Sequence, residues 1–177
     1  GTDELGRDSF TRVLYGSRVS LLVGFATMIV SVFAGTLVGA VSGYAGGKTD
    51  VLLMRIVDMF QSVPSLLMII VIFSFVPNNM ITLVLMLALF SWTGVARIVR
   101  AQTLTLKERD FVIASRALGV GHARIIVRHI VPNMITQIIV AASLSIAGAI
   151  LDESALSFLG YGVALPKSSW GSMLQNA

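Results

Sequence analysis

The chain has 177 residues, 55% hydrophobic and 12% charged, with no cysteine and a net charge of +4; its mean hydropathy is +0.86. Soluble domains carry about 25% charged residues, so an ordinary soluble domain is excluded, and the missing cysteine excludes disulfides and thiolate chemistry. The basic balance does not indicate nucleic acid, because no aromatics interleave the bases and the bases sit beside long apolar runs, where they act as topology signals.

The opening GTDELGRDSF is polar and lacks the basic start and apolar core of a signal peptide. Residues 8–18 read as a short interfacial helix. No Asp, Glu, Lys or Arg occurs between Arg18 and Lys48, and about 20 apolar residues suffice to cross a bilayer, so residues 19–43 form a first span. Within it Ser31, Gly35, Gly39 and Gly43 recur every four residues. Small residues at that spacing let helices approach closely in lipid, and packing within this chain is favoured over pairing with a second subunit. Gly47-Lys48-Thr49 resembles the end of a phosphate loop, but position 42 is Ser and a membrane helix precedes it. The segment is read as a Gly-rich turn with a basic marker, so the chain carries no nucleotide site of its own.

The next uncharged run, residues 59–96, is too long for one span and is divided at the turn signal Pro77-Asn78-Asn79. A second span is placed near 52–76, kinked at Pro64, and a third near 80–100. Arg55 and Asp58 stand three apart near the end of the second span, close enough to pair on one helix face. Charged groups in a span are candidates for a translocation path, against the plain alternative of side chains reaching for the interface. Arg97 and Arg100 are too few for a voltage-sensing ladder and are read as positive-inside anchors.

Residues 97–133, RIVRAQTLTLKERDFVIASRALGVGHARIIVRHIVPN, form a basic island with seven Lys/Arg and two acids. A basic loop between two spans belongs on the cytoplasmic face. By parity the turn at 46–50 is also cytoplasmic, and residues 1–10 and 165–177 face outside; Arg7, Arg12 and Arg18 count against this, but the cytoplasmic side holds more Lys/Arg. Phe111, Ala114, Ser115 and Leu118 share one face of a helix running from Lys107 to Leu118. Gly119-Val120-Gly121 ends that helix, as glycine accepts a left-handed cap. A second short helix, 122–131, meets Pro132 at the start of a fourth span near 130–151. Such a helix–turn–helix is either a hairpin on the membrane or a knob for a cleft in a soluble partner; the small Ala114 and Ser115 favour the knob. Asp152 and Glu153 follow the fourth span; if the helix continues to about Gly160 they sit near the outer membrane boundary or in a polar cavity and are further translocation-path candidates, against the plain alternative of a hydrated helix end. His122 and His129 lack the carboxylates of a metal site and are read as polar residues at the membrane edge. No constellation for nucleophilic catalysis is present. No cofactor or metal is expected. The fold class is all-α integral membrane protein, with four visible transmembrane helices and a cytoplasmic helix–turn–helix loop.

The loop resembles the Glu-Ala-Ala loop of the inner-membrane permease subunits of ABC importers. Ala114, Gly119 and Pro132 fit that pattern with the thirteen-residue glycine-to-proline spacing kept, while Ile113 replaces the glutamate, Ser115 the second alanine, and His129 and Val131 depart near the proline. GTDELGRDSFTRVLYGSRVSL, LMRIVDMFQSVPSL, RHIVPN and ESALSFLGYG look like the C-type permease of dipeptide, oligopeptide and nickel importers. The resemblance implies a single permease domain over 1–177, a fragment of a six-span domain incomplete at both ends, in a bacterial or archaeal cytoplasmic membrane. It implies as partners two ATP-binding subunits that hydrolyse ATP, a homologous second permease and an extracytoplasmic substrate-binding protein, so the chain itself is no enzyme. It carries an ATPase-coupling role onto Phe111, Ala114, Ser115, Leu118 and Gly119. Peptide import is the leading reading, a nickel or glutathione importer of the same architecture the next. An ion-driven secondary transporter and a membrane scaffold are rivals from other classes.

Overall fold

The computed structural model describes residues 1, 6, 8–162 and 169–175. In chain order the elements are α1 (Ser9–Ala45), α2 (Gly47–Gln61), α3 (Ser65–Phe73), α4 (Met80–Leu106), α5 (Asp110–Ala117), α6 (His122–Ile125), a π-helical segment (Ile126–Ile130), α7 (Val131–Asn133), α8 (Ile135–Phe158) and α9 (Trp170–Gln175). Three of these, α1, α4 and α8, are long and apolar enough to cross a membrane; α2 and α3 together make a fourth candidate, bent by 72° at their break. Arg7, Asp3 and Glu4, and residues 165–168 of the expected outer segment, lie outside the described residues.

The separate interfacial helix expected at 8–18 is not observed. Helix α1 runs unbroken for 37 residues, because no proline interrupts it and the charges at Arg12 and Arg18 influence depth in the membrane, not backbone conformation. Asp8 caps it, accepting from the Thr11 amide at 2.9 Å and hydroxyl at 2.5 Å; these bonds, the hydroxyl's first, hold the Asp8 carboxyl below its usual range. Phe25, Ile29, Phe33 and Leu37 form an exposed apolar stripe along α1, suited to lipid.

The kink expected at Pro64 is a full break. Proline lacks an amide donor and drives the preceding residue from helical geometry. Helix α2 ends with the Ser62 amide on Asp58 O at 2.9 Å and the Ser62 hydroxyl on Met59 O at 2.8 Å. The break expected at Pro77-Asn78-Asn79 is present, with the turn itself just before it at residues 74–76, and the Asn79 side chain caps α4 by accepting from the Thr82 amide at 2.9 Å. Helix α4 continues to Leu106, six residues beyond the expected end of the third span. Helix α5 is shorter than expected, from Asp110. Pro132 offers no amide to the carbonyl four residues back, and the helix leading to it widens over Ile126–Ile130. Helix α8 ends at Phe158, seven residues past the expected end of the fourth span, and Gly160 follows with φ +88°.

The chain divides into two compact units. One comprises Gly1–Ile29, Val63–Phe90 and Leu144–Ala177; Val23, Ile69, Phe73, Leu83, Leu87 and Leu156 form its core, and the Phe73 and Tyr161 rings stack at 6.4 Å. The other comprises Val30–Ser62 and Ser91–Ser143; its core joins Ala40 and Tyr44 of α1, Val95 and Val99 of α4, and Val112, Ile125, Ile130 and Met134 of the loop region.

Candidate functional site

Within the basic island, residues 97–106 complete α4, and α5, the Gly119 turn and α6 form a helix–turn–helix, a knob in shape. Helix α5 begins at Asp110, an acid placed where the helix dipole favours it, and carries Arg116 in its last turn. It ends in a Schellman motif: Val120 N–H donates to Ser115 O at 3.1 Å and Gly119 N–H to Arg116 O at 2.9 Å. Gly119 has φ +75°, a left-handed conformation that costs other residues about 1–2 kcal/mol. Val112 on α5 and Ile125 on α6 are fully buried and seat the knob on its unit. The opposite face is open: Phe111, Ala114 and Leu118 are exposed, Ser115 is half-buried, and Leu118 is 83% exposed. The structure therefore brings Phe111, Ala114, Ser115, Leu118 and Gly119 together around one turn.

Beneath the knob Tyr44, in the last turn of α1, meets both short helices. The Arg116 guanidinium lies over its ring, 4.8 Å from the centroid, and Arg116 Nε donates to its hydroxyl at 3.3 Å. The same hydroxyl is 3.1 Å from His122 Nδ1. With Val41, Ala45 and Ile126 these residues line a cleft of about 520 Å³. Tyr44 was not singled out by its sequence position; an aromatic two residues before the Gly46-Gly47 turn was the available signal. Among the described residues no group of three or more His, Asp or Glu comes together as a metal site would need.

The glycine stripe lies against α4 of the same chain. A Cβ at Gly35 would fall 2.6 Å from Val95 Cβ, and one at Gly43 would fall 2.7 Å from Thr103 Cβ. A Cβ at Gly39 would collide with the Ala96 carbonyl oxygen and reach 2.9 Å from Val99 Cβ.

Ion pairs across helices, which local spacing does not reveal, fasten the same unit. Asp50 on α2 takes Arg100 bidentately at 2.5 and 2.6 Å and accepts from the Ser42 hydroxyl at 2.5 Å. Asp58 pairs with Arg97 at 2.6 Å, so the expected Arg55–Asp58 pair is corrected: the carboxylate turns to α4. Arg97 and Arg100 are ion-pair partners as well as charges at a span's end. Arg55 is exposed and lines a shallow cleft with Gly47, Lys48, Val51 and Leu52.

Asp152 and Glu153 lie within α8, not beyond its end. Asp152 is half-buried. Glu153 is fully buried in a hydroxyl cluster: it accepts from Ser20 at 3.1 Å and Ser157 at 2.6 Å. Ser169 reaches Ser157 at 3.3 Å, and the Trp170 amide donates to Ser20 at 3.2 Å. Ser20 and Ser169 were missed as partners because positions distant in sequence leave no local pattern; Ser157, four residues after Glu153 on the same helix, was the local signal available.

Residues 35–177 match the family described as "Binding-protein-dependent transport system inner membrane component". The chain is 46% identical over 176 residues to the oligopeptide transport system permease protein OppC of Haemophilus influenzae, covering 99% of this chain and 57% of that protein. It is 42% identical over 173 residues to OppC of Bacillus subtilis, covering 98% of this chain and 57% of that protein. It is 40% identical over 177 residues to the di/tripeptide transport system permease protein DppC of Pseudomonas aeruginosa, covering 100% of this chain and 58% of that protein. The chain thus spans less than two thirds of the length of these relatives. With its membrane-length helices, four-residue glycine seam and protruding loop, it belongs to the inner-membrane permease components of binding-protein-dependent transport systems.

Proposed function

We propose that this chain supplies half of the translocation path of an ATP-driven importer of di- or oligopeptides in a cytoplasmic membrane, and that its α5–Gly119–α6 knob docks into a separate ATP-hydrolysing subunit. The observation that carries this reading is the asymmetry of the knob. Its base is locked by Val112, Ile125 and the Gly119 cap, while Phe111, Ala114 and Leu118 are presented outward. A rigid projection with an apolar, small-residue tip suits insertion into a cleft. The assembly is two ATP-binding subunits, a second permease related to this one, and an extracytoplasmic binding protein that delivers substrate. The names of the relatives support peptide as cargo. The 1–177 segment acts as one permease domain. For the translocation path we propose Arg55 and Asp58, both exposed, and the half-buried Asp152 as the residues open to substrate or water; Glu153, fully buried among hydroxyls, would shape the path from behind.

The test is to reconstitute the full-length subunit with its partners and ask which peptide-loaded binding protein stimulates ATP hydrolysis. Leu118→Asp puts a charge into an apolar contact, a penalty of a few kcal/mol. It should still insert in the membrane but lose co-purification of the ATP-hydrolysing subunit. Wild-type co-purification and uptake in that variant would reduce the knob to a surface hairpin.

A further inference from the structure

We infer that Tyr44 is the pin through which the knob moves the transmembrane helices, a positioning residue for coupling; the inference rests on the docking reading above. Tyr44 sits one residue before the end of α1 and is 9% exposed. Two glycines with positive φ, Gly46 at +65° and Gly47 at +52°, then turn the chain into α2. Tyr44 holds α5 through Arg116, by ring stacking at 4.8 Å and the Nε bond at 3.3 Å. It holds α6 through His122, by the hydroxyl contact at 3.1 Å and ring centroids 5.6 Å apart. One side chain thus grips the knob on both sides of its Gly119 turn.

The apolar base at Val112 and Ile125 seats the knob by burial, a force with no preferred direction of its own. A planar guanidinium over a ring with a shared hydroxyl fixes an angle. A tilt of the knob is therefore passed to the last turn of α1. Two residues away, Ser42 is tied to Asp50, which also grips Arg100 of α4. Displacement of the knob reaches α1, α2 and α4 through Tyr44 and then Asp50.

The experiment uses the complete reconstituted transporter, a labelled tripeptide and its binding protein, and reads peptide imported per ATP hydrolysed. Tyr44→Phe keeps the ring and removes both hydroxyl contacts. It should co-purify with the ATP-hydrolysing subunit as wild type does, while import per ATP falls about fivefold, the scale of one net hydrogen bond. Arg116→Lys keeps the charge and loses the stacked plane; it should fall similarly and carries the test if Tyr44→Phe does not fold. The double variant should be no worse than the poorer single one, since both break one pin. Import per ATP within twofold of wild type in these variants, with Leu118→Asp still losing the ATP-hydrolysing subunit, overturns the pin and leaves docking standing. Leu118→Asp that retains co-purification overturns the docking reading itself, whatever Tyr44→Phe does.

Discussion

Replacing Gly39 with alanine adds one methyl group at the tightest point of the α1–α4 seam. The new Cβ would meet the Ala96 carbonyl oxygen, Val99 Cβ at 2.9 Å and the Arg100 amide nitrogen at 3.0 Å, against 3.4–4 Å for ordinary contact. Two of those three atoms are backbone, so a rotamer change cannot relieve the overlap; the helices must separate. Overpacking of this kind costs about 1–3 kcal/mol, and alanine's better helix propensity returns at most about 1 kcal/mol. Because the overlap falls on backbone atoms that cannot yield, the cost lies at the upper end of that range, and a net loss of roughly 2 kcal/mol is expected. Gly94 is the internal control, a glycine on α4 with nothing within 4 Å of its would-be Cβ; Gly94→Ala should be neutral or stabilising. The assay is reversible denaturation of the full-length subunit in mixed micelles, with the transition read by intrinsic tryptophan fluorescence. Gly39→Ala as stable as wild type, or Gly94→Ala the more damaging of the two, would refute the close-approach account. Gly39→Leu should go further and prevent assembly.

Three further outcomes follow from the contacts. Removing one partner of the part-buried, bidentate Asp50–Arg100 pair, as in Asp50→Asn or Arg100→Gln, should cost about 1–3 kcal/mol; a double variant closer to the singles than to their sum, in the same denaturation assay, checks that they act as a pair. Glu153→Ala strands the Ser20 and Ser157 hydroxyls and should cost about 1–3 kcal/mol for each left unpaired; Glu153→Gln, which keeps an acceptor, should recover most of it, and equal loss in both variants would argue against the hydroxyl cluster. Lys107→Cys should resist an impermeant thiol reagent in intact cells and react after permeabilisation, an assay made clean by the absence of native cysteine; labelling in intact cells would invert the topology.

The parts legible in the sequence are those encoded by short periods. Four-residue spacing announced the Gly35–Gly39–Gly43 seam, and a helical face followed by glycine announced the knob and the left-handed Gly119. Element ends were less legible, because charge was taken as a boundary. Arg18 does not end a helix, and Arg97 and Arg100 lie inside α4 since Asp58 and Asp50 neutralise them there. Pro64 was read for position but not for strength: its missing amide and its effect on residue 63 together break the helix outright. Long-range partners stayed hidden. Arg55 and Asp58 have ideal local spacing, yet the carboxylate pairs with Arg97, 39 residues away. Tyr44 meets Arg116 across 72 residues, and only the folded chain shows that one hydroxyl serves both halves of the knob.

The hydroxyl cluster around Glu153 also sets an order of events during biogenesis. Ser20 and Glu153 are 133 residues apart, so at a synthesis rate of about 5–20 residues per second Ser20 leaves the ribosome roughly 7–27 s before its carboxylate partner. Through that interval α1 resides in the bilayer with a hydroxyl that awaits its acceptor. Glu153 in turn arrives with Ser20 of α1 already made, Ser157 follows four residues later on α8, and the Trp170 amide closes on Ser20 last, across 150 residues. A chain interrupted before Ser169 would lack the Ser169 and Trp170 contacts that complete the cluster.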